Sequence, residues 1–255
     1  MRKLRFAALA AVMMSAAVSC MNEIDDFGSD VSIDGEVVFT ASVPGAETKA
    51  VLDGNKSWWQ NGDKITVHNG IKGFEFVTSL SENAQKADFS YGGTDFTATD
   101  DGVIAVYPAG LVTSADIAKK TINASVPASQ RATAGSYDKD AALAVAFSQT
   151  DKLQFRNAVA LVKFTVTVPN VKGAVFAGNN GEPVAGNVQV VLNEDNSIGG
   201  VTVLPTSVDG AEPALCTEVG LYAEGDGFLT PGKTYYIAVA PTTFTKGFAL
   251  DLVVD

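Results

Sequence analysis

The chain of 255 residues is poor in the groups that usually carry chemistry: it has one histidine and two cysteines. With His68 alone, a paired-histidine zinc site is excluded, and any nucleophile–histidine arrangement would have to run through that residue. Two cysteines are too few for a disulfide framework. Positive charge is also sparse. Lys and Arg number 18 against 29 Asp and Glu, a formal net charge of −11, which becomes −14 if Arg2, Lys3 and Arg5 are lost with an amino-terminal signal. An acidic surface repels phosphate backbones, so nucleic acid is not an expected partner. A Gly-rich phosphate loop, a G-x-S-x-G elbow and a G-x-G-x-x-G turn are all missing. No catalytic residue, metal or cofactor is therefore expected, and the protein reads as non-enzymatic. A hydrolase built on two carboxylates facing across a cleft is the enzymatic alternative.

What is present is strand-forming. The chain is 46% hydrophobic and 18% charged, rich in Val, Ala, Thr and Gly, as packed strands and tight turns require. From Glu36 onward short β-type runs alternate with Gly, Pro, Asn and Asp clusters, the pattern of an all-β sandwich. Expected strands are 37–43, 64–68, 74–80, 103–107, 143–147, 158–168, 186–192, 235–240 and 248–254. In 159–168, Val162, Phe164, Val166 and Val168 alternate with Lys163, Thr165 and Thr167, which predicts one buried face. A helical turn or two is expected in Ser114–Lys120. Ile104-Ala-Val-Tyr-Pro108 recurs as Ile237-Ala-Val-Ala-Pro241, each reading as a central strand closed by a proline that cannot donate to the ladder. Together with the polar stretch Ser148–Lys152, this echo places a boundary between an amino-terminal domain, 36–152, and a carboxyl-terminal domain, 153–255.

The amino terminus reads as a lipoprotein signal peptide, residues 1–19. Met1–Arg5 is basic, and the apolar stretch Phe6–Val18 is long enough for a signal and too short for a membrane span. It closes on Ala16-Ala-Val-Ser-Cys20, small residues before a cysteine, which resembles the lipobox of lipoprotein signal peptidase. Cys20 would carry diacylglyceryl on its sulfur, and two or three acyl chains hold a protein on a bilayer stably. The alternative is an ordinary signal cut elsewhere and a disulfide between Cys20 and Cys216. Residues 20–35 are acidic and aperiodic, a tether; they also resemble the surface-export signal of Bacteroides-group lipoproteins.

Carboxylates cluster at Asp100-Asp101, at Asp138 and Asp140, and in Asn193–Asn196, where the spacing suits turns and fits no twelve-residue calcium loop. His68 is expected to be a solvated strand histidine, and Cys216 a small buried hydrophobe. Trp58 and Trp59, adjacent on a strand, should point to opposite faces, one into the core and one outward as a possible glycan contact.

Several words taken together resemble the fimbrillin family of the Bacteroides group: Thr48-Lys-Ala50, Trp58–Val67, Val106-Tyr-Pro108, Val126-Pro-Ala-Ser-Gln130, Phe155-Arg-Asn157 and Tyr235–Pro241. The resemblance implies two transthyretin-like β-sandwich domains in tandem, export as a lipoprotein to the cell outer membrane or into a fimbrium, and maturation by a trypsin-like protease. It places that cut after Lys49, making Ala50 the new first residue. It implies that strand 37–43 then leaves and a strand of another subunit, or of a second copy, takes its place. This chain departs from the family in having no arginine between Cys20 and Arg131. It departs again in ending within a strand, which suggests either an incomplete second domain or an open edge. The expected role is a fimbrial subunit or fimbria-associated adhesin, with host or bacterial surface molecules as further partners. The alternative is a lipid-anchored glycan-binding protein of a polysaccharide-uptake system, using Trp58 or Trp59.

Overall fold

Alternating burial runs through the strands of the computed structural model, which describes residues 2–8, 37–43, 58–207 and 212–255. Cys20, Lys49 and Ala50 lie outside the described residues. The fold is all-β, 53% strand and 3% helix. The first half holds β1 (Arg2–Ala8), β2 (Val37–Ser42), β3 (Lys64–His68), β4 (Gly73–Thr78), β5 (Lys86–Tyr91) and β6 (Val103–Tyr107). Next come β7 (Val112–Asp116), β8 (Thr121–Val126), β9 (Ser129–Arg131), β10 (Ala144–Ser148), β11 (Lys152–Gln154) and β12 (Arg156–Asn157). The remainder is β13 (Ala160–Thr165), β14 (Val171–Gly178), β15 (Gly186–Leu192), β16 (Ile198–Val203), β17 (Glu218–Tyr222), β18 (Thr234–Val239) and β19 (Phe248–Val254).

These strands form four sheets. The largest runs β11-β2-β5-β4-β3-β6-β10-β12, and β11 returns against β10, so the sheet curls around its own core. That core is aromatic: Phe39, Trp59, Phe74, Phe76, Phe89, Phe96 and Phe155 are all buried in it. Their rings meet edge to face, Phe39 on Phe76 at 5.3 Å and Phe74 on Phe96 at 5.0 Å, the arrangement the ring quadrupole favours. The other sheets are β1-β19-β14-β17-β9, β16-β15-β8-β7 and the pair β13-β18. Their shared core is largely aliphatic, from Ile122 and Val188 through Phe176 and Leu221 to Ile237.

Residues on both sides of the expected division near 152 share sheets. β8 pairs antiparallel with β15 and β9 pairs parallel with β17, while β11 and β12 belong to the large sheet. Two expectations need correction. Ser114–Lys120 is not helical: β7 pairs with β8, and the chain then turns, with Lys119 N–H donating to Asp116 Oδ1 and Lys120 at φ 49°. Pairing with β8 overrides the local helical preference. The strand expected over 158–168 is shorter, 160–165, and its apolar face is only partly covered, with Val166 buried and Val168 exposed.

Gln130 ties two sheets together. Its side-chain Nε2 donates to the carbonyls of Ala238 (2.6 Å) and Pro127 (3.0 Å), and its Oε1 accepts from Ala238 N–H (2.9 Å). The amide thus takes the place of a strand residue beside β18, and only 3% of Gln130 is exposed. Gln130→Leu, which fills the space but pairs with none of these three backbone groups, should lower the unfolding free energy in urea by about 1–3 kcal/mol. Ser129→Ala, at an exposed neighbour, should leave it within about 0.5 kcal/mol.

Candidate functional site

The two tryptophans divide as alternation requires. Trp59 is 1% exposed, and its Nε1 donates to the Ala41 carbonyl of β2 at 3.0 Å. Its ring stands edge to face with Phe89 and Tyr107 at 5.0 Å and with Phe155 at 5.5 Å. Trp58 is 43% exposed.

The other singled-out residues are structural. Asp100 and Asp101 form the two-residue turn closed by Gly102, whose φ of +95° only glycine adopts freely. Asp138 accepts from the N–H groups of Arg131 and Asp140, capping the 3-10 turn Lys139–Ala141. Asp195 accepts from the N–H and hydroxyl of Ser197, which hold its carboxyl below the usual range. Cys216 is half-buried against the aliphatic core, its thiol donating to the Glu218 carbonyl. Among the described residues, no group of three or more His, Cys, Asp or Glu is placed to hold a metal ion, and no helix is long and apolar enough to cross a membrane.

His68 departs from the solvated histidine expected. Its Nδ1 is buried without a hydrogen-bond partner, and burial pushes its pKa below the ordinary value.

The fold instead builds a cleft of about 990 Å³ that no single stretch of sequence announces. One wall is the turn before β3, with Gln60 and Asp63. The floor is Tyr107, which precedes the cis Tyr107–Pro108 bond at the end of β6. The opposite wall is the excursion 131–140 between β9 and β10, with Glu224 at the rim. The excursion is braced at both ends: Ala132 N–H donates to the Tyr222 carbonyl and Gly135 N–H to the Thr234 carbonyl, each at 2.8 Å. Across the cleft Lys139 Nζ meets Asp63 Oδ1 at 2.7 Å and Gln60 Oε1 at 3.0 Å. Burial, followed by the charge of Asp63 and the proximity of Tyr137 and Asp140, drives the Tyr107 phenol well above its ordinary pKa, so it stays protonated as a donor. Trp58 is not among the lining residues.

Two outcomes follow. Trp59→Ala should cost about 3–5 kcal/mol of stability, whereas Trp58→Ala should stay within about 0.5 kcal/mol, both read by urea unfolding. Because the folded state binds the His68 proton less readily than the unfolded chain, with its pKa near 6.5, the neutral form's contribution is complete above about pH 6.5 and is lost as pH falls below it. Wild type should therefore lose more stability than His68→Gln on acidification from pH 7.5 to 5.5, measured as the difference between their melting curves.

Searches for relatives return nothing for this chain: no family model, no curated protein and no solved structure matches it, and the resemblance to the fimbrillin family rests on its sequence words alone.

Proposed function

We propose that the chain is a non-enzymatic surface lipoprotein that serves as a fimbrial subunit or fimbria-associated adhesin, anchored through Cys20 and assembling by β-strand addition. The observation that carries this reading is the seat of β2. It pairs antiparallel with β5 over six residues and parallel with β11 over three, and it buries Phe39, Ala41 and Val43 in the aromatic core. Its departure would expose the edges of β5 and β11 and an apolar groove whose largest pocket, that of Phe39, is worth about 1.5–3 kcal/mol when filled. The Trp59 indole N–H, now bonded to the Ala41 carbonyl, would offer a fixed donor to the main chain of an incoming strand. A replacement with apolar residues at alternate positions restores both sets of interactions.

A second edge supports the same reading. β19 bonds β14 on one side, and on the other, among the described residues, it is paired by Arg2–Ala8, in antiparallel register from Arg2 opposite Val254 to Ala8 opposite Phe248. Loss of residues 1–19 during export would leave that long, apolar edge without its partner, a condition that favours strand pairing in trans.

Mass spectrometry of the mature amino terminus from producing cells tests both parts. Acylated Cys20 is expected for the anchored form, and Ala50 as first residue for the strand-exchange form. After cleavage at Lys49 the purified protein should run as a concentration-dependent ladder of oligomers in size-exclusion chromatography. Strictly monomeric protein once β2 has been released, or membrane partitioning unchanged in Cys20→Ala, would overturn the proposal.

A further inference from the structure

We infer that the cleft beneath the 131–140 excursion binds a short neutral oligosaccharide. Its volume, about 990 Å³, lies at the upper end of the range of roughly 300–1,000 Å³ for small-ligand sites, room for several sugar rings rather than one.

The electrostatics select against charged ligands. Five carboxylates line the cleft, those of Asp63, Glu75, Asp138, Asp140 and Glu224, against three cations. Each cation already faces a carboxylate: Lys64 meets Glu75 at 2.7 Å, Lys139 meets Asp63 at 2.7 Å and Arg131 meets Asp140 at 3.5 Å. The excess of negative charge disfavours phosphate, sulfated and sialylated groups. What the pairs leave on offer is a mixture of donors and acceptors, and hydroxyl groups, which both donate and accept, match such a mixture.

Two further features fit a sugar. Tyr107 and Tyr137 line the cleft, and the tyrosine side chain, an apolar body with a polar tip, suits a pyranose with its C–H face and hydroxyl rim. The walls at 60–63, 108–110 and 132–140 are turns, loops and 3-10 turns, and Arg131, at the end of the edge strand β9, already gives its N–H to Asp138, so an extended peptide finds little ladder to join. The bracing of the excursion by Lys139, Ala132 and Gly135 fixes the cleft before a ligand arrives, which lowers the ordering cost of binding. The site persists whether the chain polymerises or stays on a lipid anchor, so its failure would leave the assembly reading untouched.

The test is a printed array of neutral manno-, xylo-, gluco- and lacto-series oligosaccharides beside sialylated and sulfated glycans, followed by calorimetric titration with the free form of the best binder. Neutral glycans should bind and acidic ones should not. Tyr137→Ala should weaken binding at least tenfold in protein that still unfolds cooperatively, and Trp58→Ala should leave binding as in wild type. If Tyr137→Ala fails to fold, Glu224→Lys at the exposed rim serves instead, and it should weaken neutral binding while admitting acidic glycans. Binding of no glycan on the array, binding of acidic glycans alone, or binding lost in Trp58→Ala but kept in Tyr137→Ala would each overturn the inference.

Discussion

The structure depends on one pair of strands that must be apolar on both faces. β6 and β10 pair antiparallel, with Val106 opposite Val145 and Ala105 opposite Ala146. Val103, Ala105, Ala144 and Ala146 turn toward the aromatic core, and Ile104, Val106, Leu143 and Val145 toward the aliphatic one. The two faces differ in size for a reason. Mostly small side chains on one side leave room for the large rings of Trp59, Phe76 and their neighbours, while branched and larger side chains on the other fill the space against β8 and β15. Close packing at crystal-like density makes that division of volume hard to alter on either face.

Five of the six sequence words that carry the family resemblance meet in space. Tyr107 and Phe155, from two separate words, each contact the indole of Trp59 in a third, and Gln130 of a fourth word bonds Ala238 of a fifth. Each of these five words therefore has a physical role: those of Trp59, Tyr107 and Phe155 set the aromatic core beneath β2, and those of Gln130 and Ala238 join β9 to β18.

Much of the fold was legible because alternation and punctuation are local. The proline-closed repeats at 104–108 and 237–241 are both heavily buried strands, as their unbroken apolar runs suggest, and the Asp, Asn and Gly clusters are turns. Less visible was β14, whose Gly173 reads as a break. The Tyr222 ring lies so close to Gly173 and to Gly220 of β17 that a side chain at either position would collide with it, and that packing makes glycine suitable within these strands. The helical expectation for Ser114–Lys120 failed because the partner that straightens it, β8, is specified by pairing rather than by the segment itself. The cleft was illegible for a related reason. Gln60, Tyr107, Tyr137 and Glu224 are far apart in sequence, and each alone resembles a turn or core residue, so no local pattern announces the cleft they line.

The doubly covered wall of β6 and β10 also means that a cut between β12 and β13 would bare one of its faces. A fragment ending after β12 would leave Ile104, Val106 and Val145 bare to water, and one starting at β13 would lack β8 and β9 from its sheets. The aromatic core lies wholly within residues 37–155, whereas the aliphatic core draws on both halves, so damage to the wall of β6 and β10 is felt on both of its faces as loss of a shared partition.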